Sequence, residues 1–339
     1  MKNKHKNIPI FIPHLGCPNL CVFCNQRSIS GRQSFECEQV REEIEKAILT
    51  LPKDAEVEIA YFGGSFTGIE RELMIYLLEL GREYTEKCDR IKGIRMSTRP
   101  DYINGEIIGI LSKYPVKTVE LGLQSMDDEV LSLSKRGHSS KDAEAACRMI
   151  KEQGYSLVGQ MMIGLPGSSI ESEIKTAERI CKLGADAARI YPTVVFCETE
   201  LAEMARTGEY TPLCIDDAVY RSKEVMKVFR REGVECIRVG LCASENLTDE
   251  DKVIGGANHP ALGELVIGEL YFDDMCRQIE LESENIKDEI IFSVPRGDLS
   301  KAIGQGGKNR QRLMSKYGIK KVRFEENEGS EGYPTLVKK

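Results

Sequence analysis

The sequence predicts an α/β fold, with a partial (β/α)6 barrel followed by a small α+β domain near the carboxyl terminus. Short β-branched runs alternate with amphipathic stretches over most of the chain. Strands that alternate with helices predict a parallel sheet, and the chemistry of such barrels lies at the carboxyl ends of the strands. Most of the glycines and polar clusters that interrupt the pattern lie at those predicted strand ends.

Each predicted element follows from its local pattern. Leucines recur on one side of the Arg71–Tyr84 segment, which is typical of a helix, and glycines such as Gly154 and Gly184 mark helix ends. The predicted strands are Ile8–Pro13, Val57–Phe62, Gly93–Ser97, Thr118–Gln124, Leu157–Gly164 and Ala187–Val195. The predicted helices are Gln39–Leu49, Arg71–Tyr84, Ile103–Tyr114, Asp127–Ser134, Lys141–Gln153, Ser169–Leu183 and a helix within Thr211–Glu232.

Composition excludes several classes of protein. The chain has 339 residues, of which 41% are hydrophobic, so it can fill a sizeable core. No apolar run reaches the roughly 18 residues that span a bilayer, and the polar, basic start predicts no signal peptide. We therefore expect a cytoplasmic protein without membrane contact. In that compartment, the 12 cysteines are not expected to form a disulfide framework.

Charge is distributed unevenly along the chain. The stretch from Arg296 to Arg323 has nine Lys or Arg residues and one acid, Asp298, a local charge of +8. The whole chain carries −7, so the rest carries −15. An acidic body with a basic tail suggests that the tail meets a polyanion, but charge alone favours the alternative, a solvated basic helix face.

Three cysteines on the first predicted strand–helix loop form the sharpest motif. Cys17, Cys21 and Cys24 have the spacing C-x3-C-x2-C. Iron–sulfur clusters are commonly held by four cysteines, so a cluster on three leaves one iron open to a substrate or cofactor. Two alternatives stay open: a structural zinc site with His14 as the fourth ligand, and three buried free thiols.

This motif, with an aromatic residue before its last cysteine, resembles the radical S-adenosylmethionine (radical SAM) superfamily. The resemblance implies a TIM-like radical SAM barrel in which Cys17, Cys21 and Cys24 hold a [4Fe-4S] cluster. The open iron would bind S-adenosyl-L-methionine, which is cleaved to a 5′-deoxyadenosyl radical. Phe23 would lie near the adenine. The resemblance also implies an electron donor such as ferredoxin or flavodoxin.

Further motifs resemble the branch that contains the Elongator catalytic subunit, and also the coproporphyrinogen oxidase branch. They are Tyr61–Phe66, Ser97–Tyr102, Leu121–Ser125, Arg136–His138 and Met162–Gly167. The cofactor contacts implied by the resemblance are Gly63, Gly64, Ser65, Ser97, Gln124, Arg136 and Gln160. Ser97 stands where the branch usually has Glu, and no acetyl-CoA loop is evident after position 270. The resemblance therefore does not extend to the acetyl-transfer reaction of Elongator.

The basic tail contains a second motif. Strand Ile290–Val294, helix Leu299–Ile303, a glycine loop, helix Lys308–Tyr317 and strand Lys320–Phe324 follow the core pattern of a KH module. The segment resembles the KH units of the transcription factor NusA, and helix Leu262–Gln278 is a candidate to complete it. The residues expected to contact nucleic acid are Gly304, Gln305, Gly306, Gly307, Lys308 and Arg310. A module of this shape that only packs is the alternative.

The sequence thus predicts three regions: a radical SAM core at 1–195, its extension at 196–283 and a KH-like domain at 284–339. The leading hypothesis is a radical SAM enzyme that modifies RNA, with a tRNA-like substrate. One alternative is radical chemistry on a small molecule, a peptide or a porphyrin-like substrate. The other is a zinc-stapled RNA-binding protein without enzymatic activity.

Overall fold

The fold is described from a computed structural model of the chain, which describes residues 5–12, 15–17, 21–24, 35–241, 252–282, 289–327 and 332–337. His14, the alternative zinc ligand, and residues 284–288 lie outside the described residues. The chain divides into two compact units. The first comprises Met1–Cys214 and Val228–Asn258, and the second comprises Ile215–Lys227 and His259–Lys339. Among the described residues, no helix is both long and apolar enough to cross a membrane.

The first unit is built on a curled, seven-stranded parallel sheet that forms a half-barrel, so the predicted α/β fold is confirmed. The spatial order of its strands is β1-β2-β3-β4-β5-β6-β8, and every neighbouring pair is parallel. Its strands are β1 (His5–Ile12), β2 (Glu56–Gly63), β3 (Ile91–Thr98), β4 (Val116–Gln124), β5 (Ser156–Ile163), β6 (Ala187–Pro192) and β8 (Glu235–Val239).

Helices connect consecutive strands, as a parallel sheet requires. They are α1 (Gln39–Thr50), α2 (Arg71–Lys87), α3 (Gly105–Leu111), α4 (Asp128–Leu133), α5 (Ser140–Glu152), α6 (Ile170–Lys182), α7 (Glu200–Thr207) and α8 (Ile215–Arg231). Side chains cap several of them: Ser139 and Ser169 form capping boxes, and Asn104 accepts a hydrogen bond from the Ile107 amide. The predicted 103–114 helix is therefore shorter, because its cap is Asn104.

The structure departs from the sequence prediction at the end of the barrel. The predicted strand 187–195 is two strands, which are separated at Thr193, whose Oγ1 donates to Ile163 O at 2.7 Å. The next strand, β7 (Val194–Phe196), pairs with β9 (Val253–Gly256) in a separate antiparallel sheet. Strand β8 is an unpredicted seventh member of the main sheet.

The two faces of the main sheet differ in chemistry. Tyr61 in β2 faces the helices, is fully buried and donates from its hydroxyl to Leu77 O of α2 at 2.6 Å. Glu58, on the same strand, faces the barrel interior, where charged side chains from several strands meet. The helix side therefore supplies the apolar core, and the inner face carries polar groups.

The second unit contains a three-stranded sheet with its own apolar core. After the long helix α9 (Leu262–Leu281), its elements are β10 (Glu289–Pro295), α10 (Leu299–Ile303), α11 (Lys308–Tyr317), β11 (Lys321–Asn327) and β12 (Thr335–Val337). Central β10 is parallel to β11 and antiparallel to β12. Phe292 and Val294 of β10 are fully buried in a cluster with Met275 of α9 and Leu313 of α11.

Candidate functional site

The three motif cysteines lie on the loop after β1. Cys21 is 4% exposed, and Cys17 and Cys24 are half-buried. The Cys24 amide donates to Cys21 O at 2.9 Å, which forms a tight turn. The Val22 amide donates to Ser134 O at 3.2 Å, so the turn after α4 fixes this loop from one side.

The cysteine loop packs backbone to backbone on the glycine segment after β2. The Gly64 amide donates to Ile12 O at 2.9 Å, and the Ser65 amide donates to Leu15 O at 3.1 Å. A Cβ at Gly64 would lie 2.1 Å from Leu15 O, and one at Gly63, whose φ is +114°, would lie 2.7 Å from Ile12 O. The contact between the two loops therefore requires both glycines.

Ser65 lies at the site, but its side chain is used within the protein. It is fully buried, and its hydroxyl is 2.8 Å from Thr98 Oγ1 and accepts from the Arg99 amide at 3.2 Å. Thr67 Oγ1 lies 2.6 Å from the same Thr98 hydroxyl. This network joins the ends of β2 and β3 and holds the backbone of the glycine segment in place.

Two arginines contact sulfur atoms of the motif. Arg136 Nη1 donates to Cys21 Sγ at 3.5 Å and its Nη2 to Gly122 O at 2.8 Å. Arg99 Nη1 donates to Cys17 Sγ at 3.8 Å. Both guanidinium groups are buried, with Arg99 2% and Arg136 7% exposed. The cysteine loop is thus lined by cationic donors from the ends of two neighbouring strand–helix connections.

The other predicted cofactor contacts lie on adjacent strands. Gln124, at the end of β4, has a φ of +65°, is 5% exposed, and its Oε1 has no hydrogen-bond partner in the described part of the chain. Gln160 of β5 is half-buried and pairs with Gly122 of β4. Ser97 of β3 is also half-buried and pairs with Glu120 of β4. The sheet therefore brings these residues to one inner face.

Phe23 and His138 are both buried near the motif. Phe23 is 9% exposed and packs in an apolar cluster with Val130, Leu165 and Leu201. His138 Nε2 lies 3.3 Å from Leu123 O, and the imidazole is 7% exposed. Burial, reinforced by the charge of Arg136, lowers the pKa of His138 to about 4. His138 is therefore neutral near pH 7.

Deeper in the half-barrel, four charged residues form a continuous ion-pair network. Arg95 contacts Glu58 at 2.8 Å and Glu120 at 2.7 Å, and Arg189 contacts Glu120 at 2.8 Å. Burial alone would raise the pKa of Glu58, but the hydrogen bond from His5 and the charge of Arg95 outweigh it and lower the pKa to about 2. Arg189 pairs with Glu120 through both Nε and Nη2.

The residues around the cysteine loop fit an iron–sulfur cluster in their chemistry. The described part of the chain contains no group of three His, Cys, Asp or Glu side chains gathered closely enough to hold a metal as placed. Two of the three sulfurs nevertheless accept hydrogen bonds from buried cations. Arg136 has no carboxylate partner among the described residues, and a buried cation without an anion is costly. Thiolates with a cluster supply that negative charge.

The glycine loop of the second unit presents backbone and the side chain of Lys308 to solvent, whereas Arg310 is half-buried, with its guanidinium 5.7 Å from the centroid of the Phe324 ring. Gln305, Gly306 and Lys308 are exposed, and a Cβ at Gly306 or Gly307 would meet no atom within 4 Å. Lys308 and Arg310 make no ion pair in the described residues. Other basic residues of the segment are paired: Arg312 with Glu269, Lys316 with Glu280, and Lys321 and Arg323 with Glu289.

Comparison with protein families decides the class of the first unit. The model of the radical SAM superfamily matches residues 11–180, which is half of the chain. The chain belongs to the radical SAM superfamily. A second model, the radical SAM C-terminal domain, matches residues 185–271. Radical SAM proteins are enzymes that use a [4Fe-4S] cluster and S-adenosyl-L-methionine and need an electron donor, so the enzyme class and both expected cofactors are confirmed at the level of the family.

Relatives of this radical SAM chain include proteins of the Elongator type. An uncharacterized protein of Methanocaldococcus jannaschii is 31% identical over 224 residues, covering 62% of this chain and 68% of that protein. The tRNA uridine(34) acetyltransferase of Methanocaldococcus infernus is 32% identical over 191 residues, covering 51% of this chain and 34% of its own length. Elongator complex protein 3 of Schizosaccharomyces pombe is 29% identical over 169 residues, 48% of this chain and 30% of its own. The chain thus spans about a third of the last two relatives.

A solved structure agrees on the fold. The archaeal Elp3 of Methanocaldococcus infernus, with an amino-terminal deletion, has a TM-score of 0.60 and 24% identity, and it covers 84% of this chain and 65% of its own. This radical SAM chain therefore has Elongator-like relatives in both sequence and fold.

Sequence reasoning missed a role for Arg99. The sequence did point to this position, because Arg99 stands in the Ser97–Tyr102 motif at the end of a predicted strand. Its contact with Cys17 joins residues 82 positions apart, and such a contact becomes visible only in the folded chain.

Proposed function

We propose that this radical SAM enzyme modifies RNA, with a tRNA-like substrate that the loop at Gly304–Gly307 binds. The observation that carries the proposal is the presence, in one chain, of a radical SAM core and a glycine loop beside two basic side chains, Lys308 and Arg310, that form no ion pair in the described residues. The names of the relatives, a tRNA uridine(34) acetyltransferase and Elongator complex protein 3, support the choice of RNA. The proposal includes the division of the chain into regions 1–195, 196–283 and 284–339.

The cluster is proposed to lie on Cys17, Cys21 and Cys24. When bound there, it supplies the electron that cleaves S-adenosyl-L-methionine into a 5′-deoxyadenosyl radical. The protein's own part is to bind and orient the cofactor. The residues proposed to do so are Phe23, Gly63, Gly64, Ser65, Ser97, Gln124, Arg136 and Gln160. Gln124 is the best supported of these contacts, because its Oε1 is buried and has no hydrogen-bond partner among the described residues.

The inner face of the half-barrel is proposed to exclude water from the reaction. The Glu58–Arg95–Glu120–Arg189 network fills it with residues that are at most 9% exposed. Each of its carboxylates is paired, so the network does not offer a free base to a substrate. Excluding water protects a reactive radical from side reactions.

The second unit is proposed to be a KH-like module that binds single-stranded RNA. In it, α10 and α11 are joined by the Gly304–Gly307 loop and flanked by the parallel strands β10 and β11. KH modules clamp nucleotide backbone with such a G-x-x-G loop. The open space at Gly306 and Gly307 lets a phosphate approach the backbone, and Lys308 and Arg310 provide the charge.

Cleavage of S-adenosyl-L-methionine tests the enzymatic part. We expect anaerobic, iron- and sulfide-reconstituted protein to release 5′-deoxyadenosine under dithionite, and Cys21→Ala to abolish both this product and the brown colour. Cys88→Ala is the matched control, because Cys88 is half-buried at the end of α2, outside the motif. A brown and active Cys21→Ala protein contradicts the cluster assignment. One zinc and no iron in anaerobically purified protein favours the zinc-stapled alternative.

Recovery of cellular RNA tests the substrate class. We expect the double variant Gly306→Asp, Gly307→Asp to lose most of the RNA recovered with the wild type, because two carboxylates would repel phosphates. Gly318→Asp is the control, since it introduces the same side chain at another open glycine of positive φ, at the far end of α11. Equal recovery from the wild type and the loop variant contradicts RNA binding through this loop. It favours a small-molecule, peptide or porphyrin-like substrate.

A further inference from the structure

We propose that Arg99 is a positioning residue for the iron–sulfur cluster, and that its Nη1 donor on Cys17 raises the reduction potential of the cluster. Arg136 donates to Cys21 in the same way, and we call Arg99 and Arg136 together the arginine clamp, with one arm each. The inference rests on the proposed function, because it requires a cluster on Cys17, Cys21 and Cys24.

The guanidinium of Arg99 is fixed by three hydrogen bonds from two of its nitrogens, Nε and Nη2. Nε donates to Asp101 Oδ1 at 2.9 Å, and Nη2 donates both to Asp101 Oδ2 at 2.9 Å and to Arg136 O at 2.8 Å. These bonds use the Nε proton and both Nη2 protons. Nη1 is the remaining nitrogen, and it lies 3.8 Å from Cys17 Sγ. Because the guanidinium is planar and rigid, the bonds that hold Nε and Nη2 also fix the direction of Nη1.

The two arms differ in charge. Asp101 neutralises Arg99, so this arm acts mainly as an oriented N–H donor. Arg136 has no carboxylate partner among the described residues, and its Nη1 lies 3.5 Å from Cys21 Sγ. The Arg99 bond to Arg136 O ties the two arms together. The clamp therefore presents both a fixed dipole and a net positive charge to two of the three sulfurs.

Such a clamp favours the reduced cluster. One electron added to a [4Fe-4S] cluster increases the negative charge on its sulfur atoms. A donor that is already aimed at a ligand sulfur stabilises this reduced form more than the oxidised form, and hydrogen bonds to sulfur are among the factors that set cluster potentials. A hydrogen bond to a charged group contributes on the order of one factor of ten to such an equilibrium.

A redox titration of the full chain tests the clamp. The anaerobic, reconstituted protein is titrated with dithionite, and the reduced cluster is followed by electron paramagnetic resonance. At the potential where half of the wild-type cluster is reduced, we expect Arg99→Met to lower the ratio of reduced to oxidised cluster about tenfold, which is about 59 mV for one electron. Arg99→Lys, which keeps the positive charge but lacks the planar fork that aims Nη1 at Cys17, should shift the ratio in the same direction by less.

Arg90→Met is the matched control. Arg90 also holds backbone carbonyls, those of Ile48, Leu51 and Pro52, but it does so at the end of α1. We expect no shift in its midpoint potential. An Arg99→Met protein that titrates at the wild-type potential overturns the proposal, even if it holds less iron, because a merely structural arginine changes loading and not potential.

Where Arg99→Met holds no cluster at all, Arg99→Lys decides, and a wild-type potential in that variant overturns the proposal. Iron content separates this inference from the proposed function. If the wild-type protein takes up no iron, both the proposed function and the clamp are contradicted. If the wild-type protein loads the cluster and the variants have an unchanged potential, only the clamp is contradicted.

Discussion

Backbone strain at single residues is concentrated next to the cysteine motif. Among the described residues, Gln124 and Lys135 are the two non-glycine residues with positive φ, at +65° and +50°. Gln124 ends β4, and Lys135 immediately precedes Arg136, which contacts Cys21. Such strained conformations persist only where the surroundings enforce them, and they cluster at functional sites. The strain thus supports the view that Gln124 and Arg136 are held in place for a ligand.

His138 makes the stability of the fold depend on pH. Burial lowers the pKa of His138 to about 4. The charges of Arg136 and Arg99 also lower this pKa, and the charge of Asp101 raises it. The unfolded chain binds the proton near pH 6.5, so the stability that the neutral imidazole provides is present above pH 6.5 and is lost as the pH falls toward 4. We expect this residue to reduce the free energy of unfolding by about 2 kcal/mol between pH 7 and pH 5.

Urea unfolding of the protein at pH 7 and pH 5 measures this effect. His138→Gln keeps a side-chain N–H that can donate to Leu123 O but does not titrate, so its pH dependence should be smaller by that amount. Glu58 does not disturb the comparison, because its pKa of about 2 lies below the range. The same pH dependence in the wild type and in His138→Gln would rule out His138 as its source.

At the scale of elements, the site depends on the contact between the loop after β1 and the segment after β2. Gly64→Ala places a methyl group 2.1 Å from Leu15 O, and backbone atoms cannot yield as a flexible side chain does. We expect a loss of about 1–3 kcal/mol in the free energy of unfolding, together with a loss of reconstituted iron. Denaturant unfolding and iron analysis measure both.

Gly109→Ala is the control for that change. Gly109 lies within helix α3, and a Cβ there meets no atom within 4 Å. Alanine is the better helix former, so we expect unchanged iron content and a gain of up to about 1 kcal/mol. Equal iron content in the two variants would show that the loop contact does not support the metal site.

Local periodicity explains which elements were predictable. In the first five strands and the helices between them, the order of apolar and polar residues matches the burial of each segment. The sequence therefore located these elements within a few positions. Strand β8 was missed because no residue of Glu235–Val239 is buried, so the segment has no buried apolar face. The break at Thr193 was missed because the hydrogen bond there joins Thr193 to a distant residue, Ile163.

At the scale of the whole molecule, spacing in the sequence alone predicts the candidate site only where the site is local in sequence. Cys17, Cys21 and Cys24 lie within eight residues, so their spacing revealed them. The Arg99–Cys17 contact spans 82 positions and the Arg136–Cys21 contact spans 115. Strand order alone brings these residues together, so spacing in the sequence could not have predicted them.

The charge of the second unit is partly cancelled by its own acids, and this makes a salt-dependence prediction specific. Lys308 and Arg310 flank the glycine loop without an ion pair in the described residues, whereas Lys316 and Lys321 are paired with Glu280 and Glu289. For a single strand, each phosphate contact contributes about 0.7 to the slope of log affinity against log salt concentration. Replacing both Lys308 and Arg310 by Ser should therefore reduce that slope by about 1.4.

Fluorescence anisotropy with a mixed-sequence single-stranded RNA oligonucleotide, titrated at several salt concentrations, measures the slope. The control replaces both Lys316 and Lys321 by Ser, which removes the same formal charge from paired positions. Because Glu280 and Glu289 already compensate these lysines, the control should change the slope by much less than the loop variant. Equal changes in the two variants would mean that the RNA responds to net charge alone, and the loop would then lose its role as the contact surface.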